Sequence, residues 1–241
     1  MLVSTKAILL HSLRYSDNSV IAKAYTESHG MLPFMVHVGK GKRSASKAVL
    51  LQPLTLLEIG FNPETKGGIK RPSSWERAEM TTSICIDTIK TTLALFMAEM
   101  VLKSIQEEER NASLFNFLWR AVLSLNLDNQ TLYNFHLKFL VELSGHLGFY
   151  PDGATYTPNA LFNLIEGRYV LGAKLDQHHM DSETSGLLND LVRVSFSDHH
   201  SIVMTTQDRR TLLSSLIDYY RLHLDGMKEI KSHQVLQEVL A

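Results

Sequence analysis

The 241-residue sequence predicts an α+β protein in two parts, a small β-barrel over residues 1–80 and an α-helical domain over residues 81–241. Three observations point there. Apolar residues recur with period 2 up to about residue 80 and with a helical period beyond it. The charge balance changes sign at the same place, with 11 Lys and Arg against 6 Asp and Glu before it and 13 against 19 after it. Residues 39–47, Gly-Lys-Gly-Lys-Arg-Ser-Ala-Ser-Lys, set four cations and two glycines between two strand-like segments.

The strands come first. Residues 3–12 place Ala7, Leu9 and His11 on one side and Lys6, Ile8 and Leu10 on the other. Residues 19–27 alternate Val20, Ala22, Ala24 and Thr26 against Ile21, Lys23 and Tyr25, the period of a strand. Arg14 to Asn18 and Ser28-His29-Gly30 are turn-like in composition, and Gly30 is free to take a positive φ. A third strand is expected at 31–38, a fourth at 50–61 and a fifth at 68–75, where Pro72 argues for an edge because it has no N–H to give a central ladder. Five short strands suit a small closed or partly open barrel, for which the oligonucleotide-binding (OB) fold is the commonest five-stranded solution.

Helices follow. Ile84, Ile89, Leu93, Phe96, Met97, Met100, Val101 and Ile105 form a helical stripe that ends at the charged run 107–110. Further helices are expected at 114–127, 130–147, 182–194 and 208–223, the second of these capped by Asp128 and stopped by Gly148. The Met and aromatic stripes read as core packing. Residues 150–177, with two prolines and three glycines, are irregular except for a β-like piece at 168–171, and a segment of that length inside a compact domain signals function or a degenerate module.

Composition excludes several classes. No apolar run approaches the roughly 20 residues that span a bilayer. The apolar run at 7–10 is broken by His11 and Arg14, so the N-terminus does not read as a signal peptide. With one cysteine, Cys85, there is no internal disulfide and no cysteine zinc site, and a reducing cytoplasm is expected. Phosphate-binding glycine loops, a nucleophile elbow and His-Glu-x-x-His are absent from the sequence. The pairs His178-His179 and His199-His200, beside Asp176, Asp181 and Asp198, are the only metal-like arrangement, and they read as polar loop residues. Cys85 reads as a small buried apolar residue on the helical stripe. No catalytic, cofactor or metal residue is assigned.

The basic residues are the more specific signal. Lys40, Lys42, Arg43 and Lys47 have no acidic neighbour within the loop, Arg14 lies in the first turn, and Lys70 and Arg71 sit at the far end of the barrel region. Tyr15, Tyr25, Phe34 and Trp75 are interleaved aromatics, as in surfaces that hold a phosphate backbone and stack bases. An OB-fold RNA-binding protein, a metal-dependent hydrolase using the histidine pairs and a pure protein adaptor are the competing readings.

Five blocks resemble the RecO family of DNA repair and recombination mediators: Thr5-Lys6-Ala7-Ile8-Leu9-Leu10-His11, Arg14-Tyr15-Ser16-Asp17-Asn18-Ser19, Tyr25-Thr26-Glu27-Ser28-His29-Gly30, Val38-Gly39-Lys40-Gly41-Lys42-Arg43-Ser44, and Leu51-Gln52-Pro53-Leu54-Thr55-Leu56-Leu57-Glu58. They occur in family order over nearly all of residues 1–60, and residues 137–151 resemble, more loosely, the helix end that precedes the family's zinc module. The resemblance implies an N-terminal OB-fold barrel and a helical domain, here with a ribbon-like insertion that lacks the family's two cysteine pairs. It also implies binding of single- and double-stranded DNA, strand annealing, and recombinase loading with RecR on strands covered by single-strand DNA-binding protein. On this resemblance Arg14, Lys40, Lys42, Arg43, Lys47, Lys70 and Arg71 match the DNA-binding surface, and the location implied is cytoplasmic and nucleoid-associated.

Overall fold

A computed structural model describes residues 1–39, 48–65, 67–105 and 109–240. They divide into two compact units, Met1–Leu127 and Asp128–Ala241.

The first unit is built on five antiparallel strands, β1 (Val3–Ser16), β2 (Ser19–Thr26), β3 (Gly30–His37), β4 (Leu56–Phe61) and β5 (Pro72–Arg77), in the order β3-β2-β1-β4-β5. The sheet does not close by a full ladder. Its two edges meet at a single parallel bridge, Phe34 to Lys70, where Met35 N donates to Lys70 O at 2.8 Å and Lys70 N to Pro33 O at 2.9 Å. This is the strand order and closure of a partly open OB-fold barrel.

Side-chain alternation explains the barrel. Ala7, Leu9, Ala22, Ala24, Leu32, Phe34, Val36, Leu57, Ile59, Phe61 and Trp75 fill one core, every second residue of its strand facing inward. Ile8 and Leu10 are equally buried because the other side of β1 lies against a helix, which is why the alternation of residues 3–12 looks imperfect in the sequence. A register shift between Leu9 and His11 then turns Ser12 and Arg14 to the inner side and His11 and Leu13 outward, and a second shift lies between Arg14 and Ser16.

β1 runs four residues further than expected, through the hairpin arm. β4 begins at Leu56 rather than near residue 50, because Thr55 N and its hydroxyl both bond Gln52 O and the buried Leu54 takes a left-handed φ of 59° to donate its N–H to Leu9 O. Pro72 is the first residue of β5, where no ladder donor is needed.

The unit also carries α1 (Thr82–Ile86), α2 (Thr88–Ser104) and α3 (Ala112–Leu127). Asp87 caps α2 by accepting from Lys90 N, and the buried Lys90 ammonium donates to Ser83 Oγ at 2.8 Å and Asn126 O at 3.0 Å. Tyr25 on the outer side of β2 packs on Phe115 of α3, and Lys6 lies over the Trp119 ring at 5.2 Å. Cys85 corrects the sequence reading, for it is exposed on α1. The short α1 buries Ile84 alone, so the neighbouring residue faces water.

The second unit carries α4 (Phe135–His146), a two-stranded ribbon of β6 (Leu161–Asn163) and β7 (Arg168–Val170), α5 (Ser182–Arg193), α6 (Thr206–His223) and α7 (Ser232–Val239). α4 starts later than expected and Asp128 does not cap it. Its carboxylate accepts from Gln130 N at 2.7 Å and faces the buried His199 Nε2 at 3.3 Å. Gly148 ends the helix as expected, with φ of 93° and Phe149 N bonded back to Ser144 O.

Phe34 meets Phe61 and Trp75 edge to face at centroid distances of 5.3 and 5.8 Å. Replacing Phe34 by Ala is expected to lower unfolding free energy by about 3–5 kcal/mol, measured by urea denaturation.

Candidate nucleic-acid interface

The sequence-predicted cations fall into three groups. Lys40, Lys42, Arg43 and Lys47 lie outside the described residues. Their attachment point is nevertheless defined, since Val38 N donates to Asn18 O at 2.8 Å. That bond sets the end of β3 beside the β1–β2 hairpin, so the residue preceding the four-cation run starts from the same end of the barrel as Arg14.

Arg14 is the second group. Its strand position opposite Val20 is on the inner side, but at the open mouth of the barrel the side chain extends into water. Asp17 approaches at 3.4 Å with both side chains more than 70% exposed, and such a pair contributes little and is readily exchanged for another anion.

Lys70 and Arg71 form the third group, at the edge where β3 meets the chain entering β5. Lys70 folds back, its ammonium donating to Pro63 O at 2.8 Å and Thr65 O at 2.9 Å. This fastens the turn before β5 and leaves one ammonium donor for another ligand. Arg71 is exposed, with no ion pair among the described residues. Because Lys70 shares the inner side with its bridge partner Phe34, alternation puts Arg71 on the outer side with Met35.

Of the four aromatics, three are inner or interface residues. Phe34 and Trp75 belong to the barrel core and Tyr25 is buried under α3. Tyr15 is 66% exposed. Sequence spacing alone could not separate them, because period 2 says which residues share a side but not which side is wet.

The histidine pairs make different contacts, and the His199 and His200 rings meet edge to face at 5.8 Å. His179 Nδ1 contacts Asp176 at 2.8 Å and His178 is half-buried nearby. His199 is buried against Asp128 while His200 is exposed. Among the described residues no three His, Cys, Asp or Glu side chains converge as metal ligands. The two cysteine pairs of the family's zinc module are missing from this sequence.

Aromatic packing holds the ribbon instead. Phe162, Tyr169 and Tyr156 stack edge to face in series, Tyr219 of α6 packs on Phe162, and its hydroxyl donates to Phe149 O at 2.6 Å. Residues 178–180 add a third extended piece, with Leu164 N bonded to His178 O and Met180 N to Phe162 O. The segment 150–177 is thus an ordered module. Its strand at 168–170 was legible in the sequence; its partner strand, only three residues long, was not.

Burial holds the pKa of His136 down at about 3, assisted by the Arg209 and His199 charges, and burial also lowers that of His199 against the opposing pull of Asp128. In the unfolded chain both titrate near 6.5. The unfolded state therefore takes up protons that the folded state refuses, and stability falls as pH drops below 6.5 toward 3. Urea unfolding at pH 7 and pH 5 is expected to show the loss, up to about 1.4 kcal/mol per pH unit for each such histidine. A His136→Gln variant is expected to have a shallower pH slope.

Comparison with known proteins gives one consistent result. The family described as "Recombination protein O N terminal" matches residues 1–80 and "Recombination protein O C terminal" matches residues 86–233. Proteins named "DNA repair protein RecO" are similar along the whole chain. That of Flavobacterium johnsoniae is 36% identical over 245 residues, covering 100% of both chains. That of Flavobacterium psychrophilum is 35% identical over 242 residues, also covering 100% of both. That of Bacteroides fragilis is 34% identical over 240 residues, covering 99% of both.

Proposed function

This chain belongs to the RecO family of DNA repair proteins, and from that premise we propose that it is a recombination mediator that binds single- and double-stranded DNA, anneals complementary strands and helps load recombinase. Residues 1–80 are the nucleic-acid-binding domain and residues 81–241 the helical domain in this reading. Its partners are DNA, RecR and single-strand DNA-binding protein, and its place is the cytoplasm at the nucleoid. Among the described residues no helix is long and apolar enough to cross a membrane.

The observation that supports the reading is the bond between Val38 N and Asn18 O, which starts the four-cation run beside the exposed Arg14 hairpin. Lys40, Lys42, Arg43 and Lys47 follow Gly39 in the sequence, and Arg71 adds another cation along the neighbouring edge. Lys70 contributes positive potential from its anchored position. Cations of this kind neutralise phosphates and release counterions, which supplies affinity without reading sequence.

Annealing on such a surface is not bond-making chemistry. Screening the charge of two strands raises the frequency with which they meet, and base pairing supplies the driving force. No general acid, base or metal is required.

Changing Lys40, Lys42, Arg43 and Lys47 together to Ala is expected to weaken DNA binding and to flatten the slope of log K against log salt by roughly 3, at about 0.7–0.9 for each phosphate no longer neutralised. Fluorescence anisotropy across a salt series measures it, and an unchanged slope would remove these residues from the interface. Oligonucleotides precoated with single-strand DNA-binding protein are expected to anneal faster with the chain than without it. Equal rates would sink the mediator reading.

A further inference from the structure

The segment leading into the ribbon lays two tyrosines along one side of α5. A Cβ added at Gly186 would lie 3.5 Å from the Tyr156 hydroxyl, and one added at Gly153 would lie 2.9 Å from Val192 Cγ1. The stretch that carries Tyr156 is therefore packed on the helix between Gly186 and Val192. Tyr150 meets the helix nearer its end, where its hydroxyl donates to Val192 O at 3.4 Å, while its ring lies so close to α4 that a Cβ at Gly145 would come within 2.9 Å of it. Asp190 stands one turn after Gly186 on the same helix face. The two tyrosine hydroxyls thus bracket its carboxylate along the helix.

Behind them lies Tyr169. Its ring meets that of Tyr156 edge to face at 5.1 Å. The residue is 4% exposed, and its hydroxyl is buried with no hydrogen-bond partner among the described residues. Burial, and then the neighbouring Tyr156, Asp190, Tyr150 and Tyr219, push its pKa upward, so all four side chains lie within electrostatic reach of one hydroxyl. Tyr150 is 40% exposed, Tyr156 is half-buried and Asp190 is exposed. Asp190 has no ion pair among the described residues, although the exposed Arg193 follows it on the same helix. An unpaired carboxylate between two accessible rings, with an unsatisfied oxygen behind them, is a surface that lacks a cation.

The sign of the charge selects the class of ligand. Ring faces carry partial negative charge and the carboxylate a full one. Over residues 81–241 Asp and Glu outnumber Lys and Arg by 19 to 13, so a nucleic acid meets repulsion here and a basic protein segment does not. Among cations, an ammonium is compact and strongly hydrated, whereas a guanidinium is planar, stacks on tyrosine and offers five donors in a fixed fork. We propose that Tyr150, Tyr156 and Asp190, backed by the Tyr169 hydroxyl, form a docking site for an arginine side chain of a basic protein partner. The site lies on the ribbon and α5, and it holds whether or not the barrel binds DNA.

The probe is a fluorescein-labelled peptide of four Arg-Gly-Gly repeats, read by anisotropy against the full chain. The same peptide with citrulline in place of arginine is its neutral isostere. Wild type is expected to bind the arginine peptide roughly 10-fold more tightly than the citrulline one. Asp190→Asn and Tyr156→Leu are each expected to raise the arginine-peptide Kd roughly 2- to 5-fold and to leave the citrulline-peptide Kd unchanged. Glu238→Gln removes an equal charge from an exposed position on α7 and is expected to match wild type. Asp190 is exposed, so its substitution is expected to leave the circular dichroism spectrum and thermal midpoint unchanged, which keeps the test sound even where Tyr156→Leu loosens the ribbon. Equal binding of the two peptides, no binding of the arginine peptide, or equal losses in Asp190→Asn and Glu238→Gln would overturn the site. Sedimentation of the chain alone that shows dimers lost in Asp190→Asn would overturn the assignment to another protein, the arginine then coming from a second copy.

Discussion

Closure of the barrel around Phe34 is the constraint on which the first unit depends. The ring is fully buried against Phe61 and Trp75, and its backbone bridges to Lys70, where the two edges of the sheet meet. Because side chains alternate along a strand, burying Phe34 commits Pro33 and Met35 to the outer side, and the ladder transmits that choice to Ile21 on β2 and Leu13 on β1. The outward row of Leu13, Ile21 and Met35 and the position of Arg71 are therefore consequences of core packing.

Charge in this protein is sorted by what backbone carbonyls can reach. Lys90 and Lys138 are buried, and each ammonium donates to a carbonyl, Lys138 to Leu191 O at 2.8 Å with Glu142 at 2.6 Å. Lys70 is held in the same way at the barrel edge. A buried ammonium is tolerable only when so satisfied. Arg14, Lys23 and Arg71 lie where no carbonyl cluster takes them up, and their charge faces solvent. The net charge of -1 thus conceals a division between structural and outward-facing cations.

In the second unit aromatic contacts hold the ribbon together. Tyr219 is central, joining Phe162, Phe149 and His223 by ring contacts and fastening Phe149 O by its hydroxyl. Gly167 is required beneath it. Its φ is 67°, and a Cβ there would come within 2.7 Å of the Tyr219 hydroxyl. Packing of this kind is tolerant in composition and intolerant in geometry, which is why cysteine-free sequence can preserve the module while hiding it from pattern reading.

By itself the sequence determined the strand and helix periods, the number of barrel strands, the stop at Gly148 and the clustering of cations at 39–47, because local periodicity and turn chemistry are written in neighbouring residues. Tertiary structure alone decided which side of each strand is wet. Tyr15 and Phe34 look alike as aromatics interleaved with the basic residues, yet one is exposed and the other is the core. It also decided that Asp128 serves His199 rather than a helix end and that Cys85 faces water. Each of these depends on a partner distant in the chain, and exposure and hydrogen bonding are settled by which distant surfaces meet.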